Sequence, residues 1–364
     1  MEQLINITDA VFLGHVGEIE LGASAIAGIY YLAIYMLGFG FSIGLQVMVA
    51  RRNGEQDYKE TGKTFFQGLF FLLGLAIFLY LLIHTVSPFI LKKLIVSSDI
   101  YRAVILYLDW RSFGLLFSFP FLAIRSFLVG ITHTKALSWA AAIAVLINIP
   151  LNFYLIFTRE LGISGAAIAS SLAEMGSFMM LSFYMWIRLD KEKYGLRPVY
   201  NGNLLIKVLK LSIWSMLHAF ISVAPWFLFF VSIEHLGKIE LAISNITRSV
   251  SAIFFVIANS FALTTGSLVS NAIGAGEGKA QMTFLFQVTT TAIYLVYLYW
   301  LCRYTQAPLA IYLTAEYVFV ILLATQSIFY LKIAFLVVRI DFQRILIVIG
   351  MYQLADQTAQ QIIF

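Results

Sequence analysis

Of the 364 residues, 61% are hydrophobic and only 12% are charged, against about 45–50% and about 25% in soluble globular chains, so the sequence reads as a polytopic membrane protein and not as a string of soluble domains. The single cysteine, Cys302, excludes internal disulfides and thiolate metal cages. The net charge of +5 falls in short segments between apolar runs and so reports topology, with no call for a nucleic-acid partner.

Met1-Glu2-Gln3 lacks the basic start and cleavage site of a signal peptide, so the chain is expected to begin inside a helix. A half-length apolar run covers 1–13. Longer runs follow near 20–49, 64–86, 103–131, 136–157, 163–187, 204–233, 239–272, 280–302 and 309–338. About 20 apolar helical residues cross a hydrocarbon core of about 30 Å, so these are read as ten helices, several long enough to need tilt. The tail 340–364, with Asp341 and Asp356, is left unassigned.

Loops after even-numbered helices carry about twice the Lys and Arg of the others, led by Arg51, Arg52, Lys59, Lys63, Arg188 and Lys191. This places the amino end in the cytoplasm. The longest polar stretch, Arg188 to Asn203, then reads as a cytoplasmic linker at 188–203 between an amino-terminal lobe at 1–187 and a carboxy-terminal lobe at 204–364.

An internal repeat supports that division. His15-Val-Gly-Glu-Ile-Glu-Leu21 returns as His235-Leu-Gly-Lys-Ile-Glu-Leu241, identical at five of seven positions. Gly44, Val47, Gly54 and Glu55 match Gly266, Val269, Gly276 and Glu277 after a short insertion. Helices 1 and 2 thus correspond to 7 and 8; six helices per copy is even, so the two lobes share one orientation about an axis along the membrane normal. The same arithmetic leads us to expect roughly 17 residues missing before Met1 and about 60 after Phe364.

Several strings resemble catalytic motifs. Gly40-Phe-Ser-Ile-Gly44 fits a nucleophile elbow, but it lies inside an apolar helix, where small residues serve close packing. Gly274-Ala-Gly-Glu-Gly-Lys279 lacks the first glycine and the final hydroxyl of a phosphate loop. Gly162-Ile-Ser-Gly165 with His235-Leu-Gly237 resembles the signatures of rhomboid intramembrane serine proteases, with Ser164 as nucleophile. The histidine is, however, half of the repeat, and ten duplicated helices do not match a six-helix protease core.

Ionisable and amide side chains within apolar runs are costly, about 2.5–3.5 kcal/mol for a charge at the bilayer centre, and so point to function. Asp9 is the sharpest. Asn148 and Asn152, four apart, share one face of helix 5 at a similar depth. A carboxylate with two amide oxygens suits a proton or a hard monovalent cation; equally, Asp9 could cap a helix end while the asparagines bond across helices. Glu174 in helix 6 is a candidate relay, or a partner of Arg125 or Arg111 in helix 4. Arg248 and His218 in the second half are read in the same way.

Taken together, these residues resemble the multidrug and toxic compound extrusion (MATE) family of antiporters, in its bacterial form. The resemblance rests on Thr8-Asp9-Ala-Val-Phe-Leu-Gly14, on Gly40 to Gly44 followed by Ala50-Arg-Arg-Asn-Gly54, and on Asn148-Ile-Pro-Leu-Asn152. It extends through Gly162 to Ser170, Trp226 to Phe230 with Glu234 to Gly237, and Leu241 to Ile246 with Leu268 to Asn271. It implies an all-α polytopic fold of two six-helix lobes around a cavity, twelve helices of which about ten are expected here. It also implies export of organic cations or drugs in exchange for sodium ions or protons by a monomer in the bacterial inner membrane. No enzyme activity, no cofactor and no nucleic-acid partner are implied. The family's cation site falls on Asp9, Asn148 and Asn152, and its helix 6 hydroxyl on Ser170. Some branches carry an aspartate where Asn152 stands, so sodium coupling and a single-aspartate mechanism both stay open. A lipid-linked oligosaccharide flippase of the same superfamily is the alternative. The match fades beyond about Arg303, where the family's last two helices have no counterpart.

Overall fold

The computed structural model describes residues 2–131, 133–237 and 239–245, with isolated positions between 292 and 300. Helices expected beyond 245, together with Arg248, Asp341, Asp356 and the second-copy residues Gly266 to Glu277, lie outside the described residues. Within them the chain is all-α.

The elements are α1 (Glu2–Gly14), α2 (Glu18–Gly54), α3 (Tyr58–Thr85), α4 (Ser87–Leu94), α5 (Ser98–Arg111), α6 (Leu115–Gly130), α7 (Lys135–Phe153), α8 (Gly162–Arg188) and α9 (Gly202–Glu234). A 3-10 turn, Ser112–Gly114, joins α5 to α6, and a π-helical turn, Tyr154–Thr158, closes α7. Among the described residues, six helical stretches are long and apolar enough to span a membrane, α5 and α6 counting as one. At 1.5 Å per residue the 37 residues of α2 reach about 55 Å, well past the hydrocarbon core, so α2 tilts or extends into the headgroups. The short α4, with exposed Phe89 and Ile90, was not expected from periodicity. Pro88 in its first turn favours a helix start, because the missing N–H is not needed there.

Helix α2 is central and packs on α3, α5, α6 and α9. Its contact with α9 depends on Gly40 and Gly44. A Cβ on Gly40 would strike the Ser215 carbonyl and stand 2.5 Å from Met216 Cα, and one on Gly44 would stand 2.8 Å from Ser212 Cα. This is the small-residue packing expected of the Gly-Phe-Ser-Ile-Gly string.

The segment joining α8 to α9 lies against the base of α3. Gln67 donates Nε2 to the Val199 carbonyl (2.6 Å) and accepts from the Asn201 amide (2.8 Å), while Tyr194 is buried against Phe127 and Tyr58. At the far end of α9, Glu234 accepts the amides of Val96 (3.0 Å) and Ser97 (2.8 Å), capping the start of α5.

The repeated strings adopt the same local geometry. His15 Nδ1 meets the carbonyl of Val11, and His235 Nδ1 that of Val231, both at 2.8 Å. The glycine two residues on then accepts from Leu21 (3.1 Å) in one copy and Leu241 (3.2 Å) in the other. A matched turn at corresponding helix ends is what a duplicated unit produces.

Candidate functional site

Three helices deliver the polar cluster, each through a stripe of i, i+4 positions. On α1 the buried stripe is Ile5, Asp9 and Leu13, with Ala10 buried beside it, while Val11 is exposed. On α7 the buried stripe is Ala136, Ala140, Ala144, Asn148 and Asn152, and the opposite face shows Trp139, Leu146 and Phe153 to the surroundings. The alanines let α8 come close, and Ser177 of α8 donates to the Ala140 carbonyl at 3.0 Å. On α8, Gly165, Ala166 and Ser170 are similarly small and buried. Helices this close allow short side chains to meet.

Asp9 therefore sits buried, 3% exposed, among neutral polar groups. Asn152 donates Nδ2 to Asp9 Oδ1 at 2.8 Å, and Asn148 Nδ2 approaches the same oxygen at 3.4 Å. Ser170 donates Oγ–H to Asp9 Oδ2 at 2.6 Å. Asn148 Nδ2 also reaches Ser170 Oγ (3.1 Å), and Asn152 Nδ2 reaches Asn148 Oδ1 (3.1 Å). The structure thus brings together all four residues Asp9, Asn148, Asn152 and Ser170. Asn152 Oδ1 meets no hydrogen-bond partner among the described residues. Turning both amides about their Cγ bonds would present oxygens instead of N–H groups, giving carboxylate, amide and hydroxyl oxygens around one point. Such a set suits a hard cation, since it contains no thiolate or imidazole.

Glu174 takes another place. One helical turn beyond Ser170, it pairs with Arg111 at 2.5 Å, both side chains fully buried, and accepts from the Tyr31 hydroxyl at 3.2 Å. The Arg111 guanidinium lies 3.9 Å from the centre of the Tyr31 ring. Of the two arginines expected as partners, Arg111 is the one chosen; Arg125 instead lies over Phe39 at 5.3 Å. Tyr31 went unnoticed in the sequence, where nothing distinguishes it from its tyrosine neighbours. Glu234 stood in one of the family-matching strings, just before the repeat, but its role as a helix cap was not visible there. The rhomboid-like pairing is absent: His235 turns to its own helix, and among the described residues no hydrogen bond joins it to Ser164.

Residues 1–154, which carry Asp9 and both asparagines, match the family model MatE. Among curated proteins, the chain is 23% identical over 293 residues to the probable multidrug resistance protein NorM of Idiomarina loihiensis, covering 77% of this chain and 62% of that one. It is 25% identical over 303 residues to multidrug and toxin extrusion protein 1 of Mus musculus, covering 80% and 52% respectively. The chain thus spans less than two thirds of the length of these relatives. Among solved structures, an inward-facing MATE family transporter of the MOP superfamily superposes with TM-score 0.67 at 17% identity, covering 88% of this chain and 76% of the other. The eukaryotic MATE transporter AtDTX14 gives TM-score 0.66 at 19% identity, covering 88% and 74%. Both of these solved structures are of transporters. Over residues 1–154, which carry Asp9, Asn148 and Asn152, the chain is thus similar to the MatE family, and its fold is that of MATE transporters of known structure.

Proposed function

We propose that the chain acts as a cation-coupled antiporter, exporting organic cations or drugs by alternating access, with a sodium ion or proton exchanged at Asp9. The observation that carries this reading is a carboxylate buried between membrane helices whose hydrogen bonds, among the described residues, come from the neutral side chains of Asn148, Asn152 and Ser170. A bare buried carboxylate is costly, and binding a proton or sodium ion removes that cost. If one of the two access states offers Asp9 better amide and hydroxyl oxygens, the cation favours that state in proportion to the difference in affinity. The relatives' names, which speak of drug resistance and extrusion, support an organic substrate. The same reading places the chain as a monomer in a bacterial cytoplasmic membrane and divides it at the 188–203 linker.

The direct test is purified chain in liposomes loaded with ethidium. Imposing a sodium gradient or a pH gradient should drive dye across the bilayer, and reversing the gradient should reverse the flux. Dye movement indifferent to both gradients would overturn the coupling. Orientation is tested separately: a reporter fused after Tyr194 is expected in the cytoplasm and one fused after Gly17 outside, because the basic loops flank α2, α3, α8 and α9 on one side. The reverse pattern at both sites would reject this topology.

A further inference from the structure

We propose that Arg125 of α6 is a binding residue for an acidic group on the exported molecule, so that the substrates of this chain include aromatic carboxylates, among them amphoteric molecules that carry both signs of charge. The inference rests on the reading of the chain as an exporter of organic molecules and adds an anionic group to what it recognises.

The depth of Arg125 follows from its neighbours. Helices α2 and α6 run side by side: Ser126 Oγ donates to the Ser42 carbonyl at 2.7 Å, and a Cβ on Gly130 would stand 3.1 Å from the Ala50 amide nitrogen. Arg51 and Arg52, in the last turn of α2, mark one edge of the membrane. Ser42 is nine residues from Arg51, about 14 Å at 1.5 Å per residue, which is close to half of a hydrocarbon core of about 30 Å. Arg125 therefore starts near the midplane. A charge at that depth belongs in the bundle interior or a cavity and not against lipid. Helix α6 meets this condition, since none of its 16 residues is exposed. Arg125 itself is only partly buried, so the open part of its side chain faces inward.

What sets Arg125 apart is the partner it lacks. Arg111 is paired with Glu174 and stacked on Tyr31. Arg125 stands fourteen residues further on, about 21 Å along the helix and beyond the reach of Glu174. The remaining carboxylates of the helices packed against α6, namely Glu18, Glu20 and Glu55 around α2 and Glu60 of α3, lie at helix ends. Among the described residues no carboxylate comes within ion-pair distance of Arg125, and its Nη1 is buried without a hydrogen-bond partner. Its neighbours are the Phe39 ring at 5.3 Å and Tyr35, a neutral phenol near pH 7. An aromatic face offsets only part of the cost of burying a cation.

A guanidinium left this way has one chemistry to offer. Its planar fork of N–H donors matches a carboxylate, and in apolar surroundings the pairing is strong. The place suits a substrate as well. Phe39 adjoins Gly40, which meets Ser215 and Met216 of α9 across the contact between the two halves of the chain. Duplicated transporters hold their substrates near the bilayer midplane, between the repeats.

The test reads binding, without transport. Purified chain in lipid nanodiscs is titrated with 1-pyrenebutyrate, with its uncharged counterpart 1-pyrenebutanol and with the cation ethidium, each followed by fluorescence against empty nanodiscs. Wild type should bind the carboxylate about tenfold or more tightly than the alcohol, as a charge-assisted pair requires. Arg125→Gln should abolish that preference and leave ethidium binding unchanged or tighter. Arg125→Lys should keep part of it, as a point charge without the fork. Because Arg125→Gln removes an unpaired buried charge, the apparent Tm should not fall. Absent or equal wild-type binding of carboxylate and alcohol overturns the proposal, and so does a preference that survives Arg125→Gln. A lower Tm in Arg125→Gln, with all three probes weakened together, also overturns it and makes Arg125 a structural residue. Ethidium flux indifferent to both gradients bears on the coupling reading alone, since the carboxylate preference is measured without a gradient.

Discussion

Replacing Asp9 with asparagine is expected to abolish coupled export while leaving the protein folded. The substitution keeps the side chain's shape. Its remaining oxygen still accepts from Asn152, and its new amide can donate to Ser170 Oγ, a hydroxyl able to accept as well as donate. Helices α1, α7 and α8 therefore stay together and the membrane level of the protein should be unchanged. What disappears is the only charge among the four clustered side chains. An uncharged site has almost no preference for a proton or sodium ion, and a ligand without differential affinity shifts no equilibrium. Ethidium export from everted vesicles under an imposed gradient should fall by about a hundredfold or more, to background. Export at the normal rate would remove Asp9 from the mechanism.

Gly40→Leu is expected to have the largest effect on stability. Ser215 and Met216, which face Gly40 across the α2–α9 contact, present backbone atoms, and these cannot swing aside as a side-chain tip would. The two helices must separate over several turns, and overpacking of this kind costs about 1–3 kcal/mol or more. Detergent-solubilised protein followed by fluorescence-detected size exclusion after heating should show an apparent Tm lower by about 5–10 °C. Gly74→Ala on α3 is the matched control, because its Cβ would meet nothing within 4 Å. Equal Tm values for Gly40→Leu and Gly74→Ala would show that the α2–α9 contact yields more readily than its backbone approach implies.

Much of the fold was legible because the bilayer reduces the question to length and polarity. The runs over 136–157, 163–187 and 204–233 differ from α7 with its π-helical turn, α8 and α9 by one or two residues at each end. Asp9, Asn148 and Asn152 stood out for a related reason: a polar side chain within an apolar run has few places to go, and i, i+4 spacing aims two of them the same way. The break at Ser112–Gly114 was not legible. It stands beside the Arg111–Glu174 pair, which joins residues 63 positions apart, and a glycine in an apolar run has many local meanings. For the same reason, spacing left Arg111 and Arg125 equally eligible to pair with Glu174, and only the packing of α5 and α8 around Tyr31 separates them.

The cap that Glu234 places on α5 has a consequence for biogenesis. The amides it receives belong to Val96 and Ser97, so donor and acceptor are separated by 138 and 137 positions. At about 5–20 residues per second, roughly 7–28 s of translation pass between the emergence of α5 and that of its cap. During that interval the two amides have only water or lipid headgroups as partners. Insertion of α9 then closes the end of α5, so completion of the early helices waits on the late one. Two fragments separated between α8 and α9 would have to find each other in the membrane before either reached its final packing.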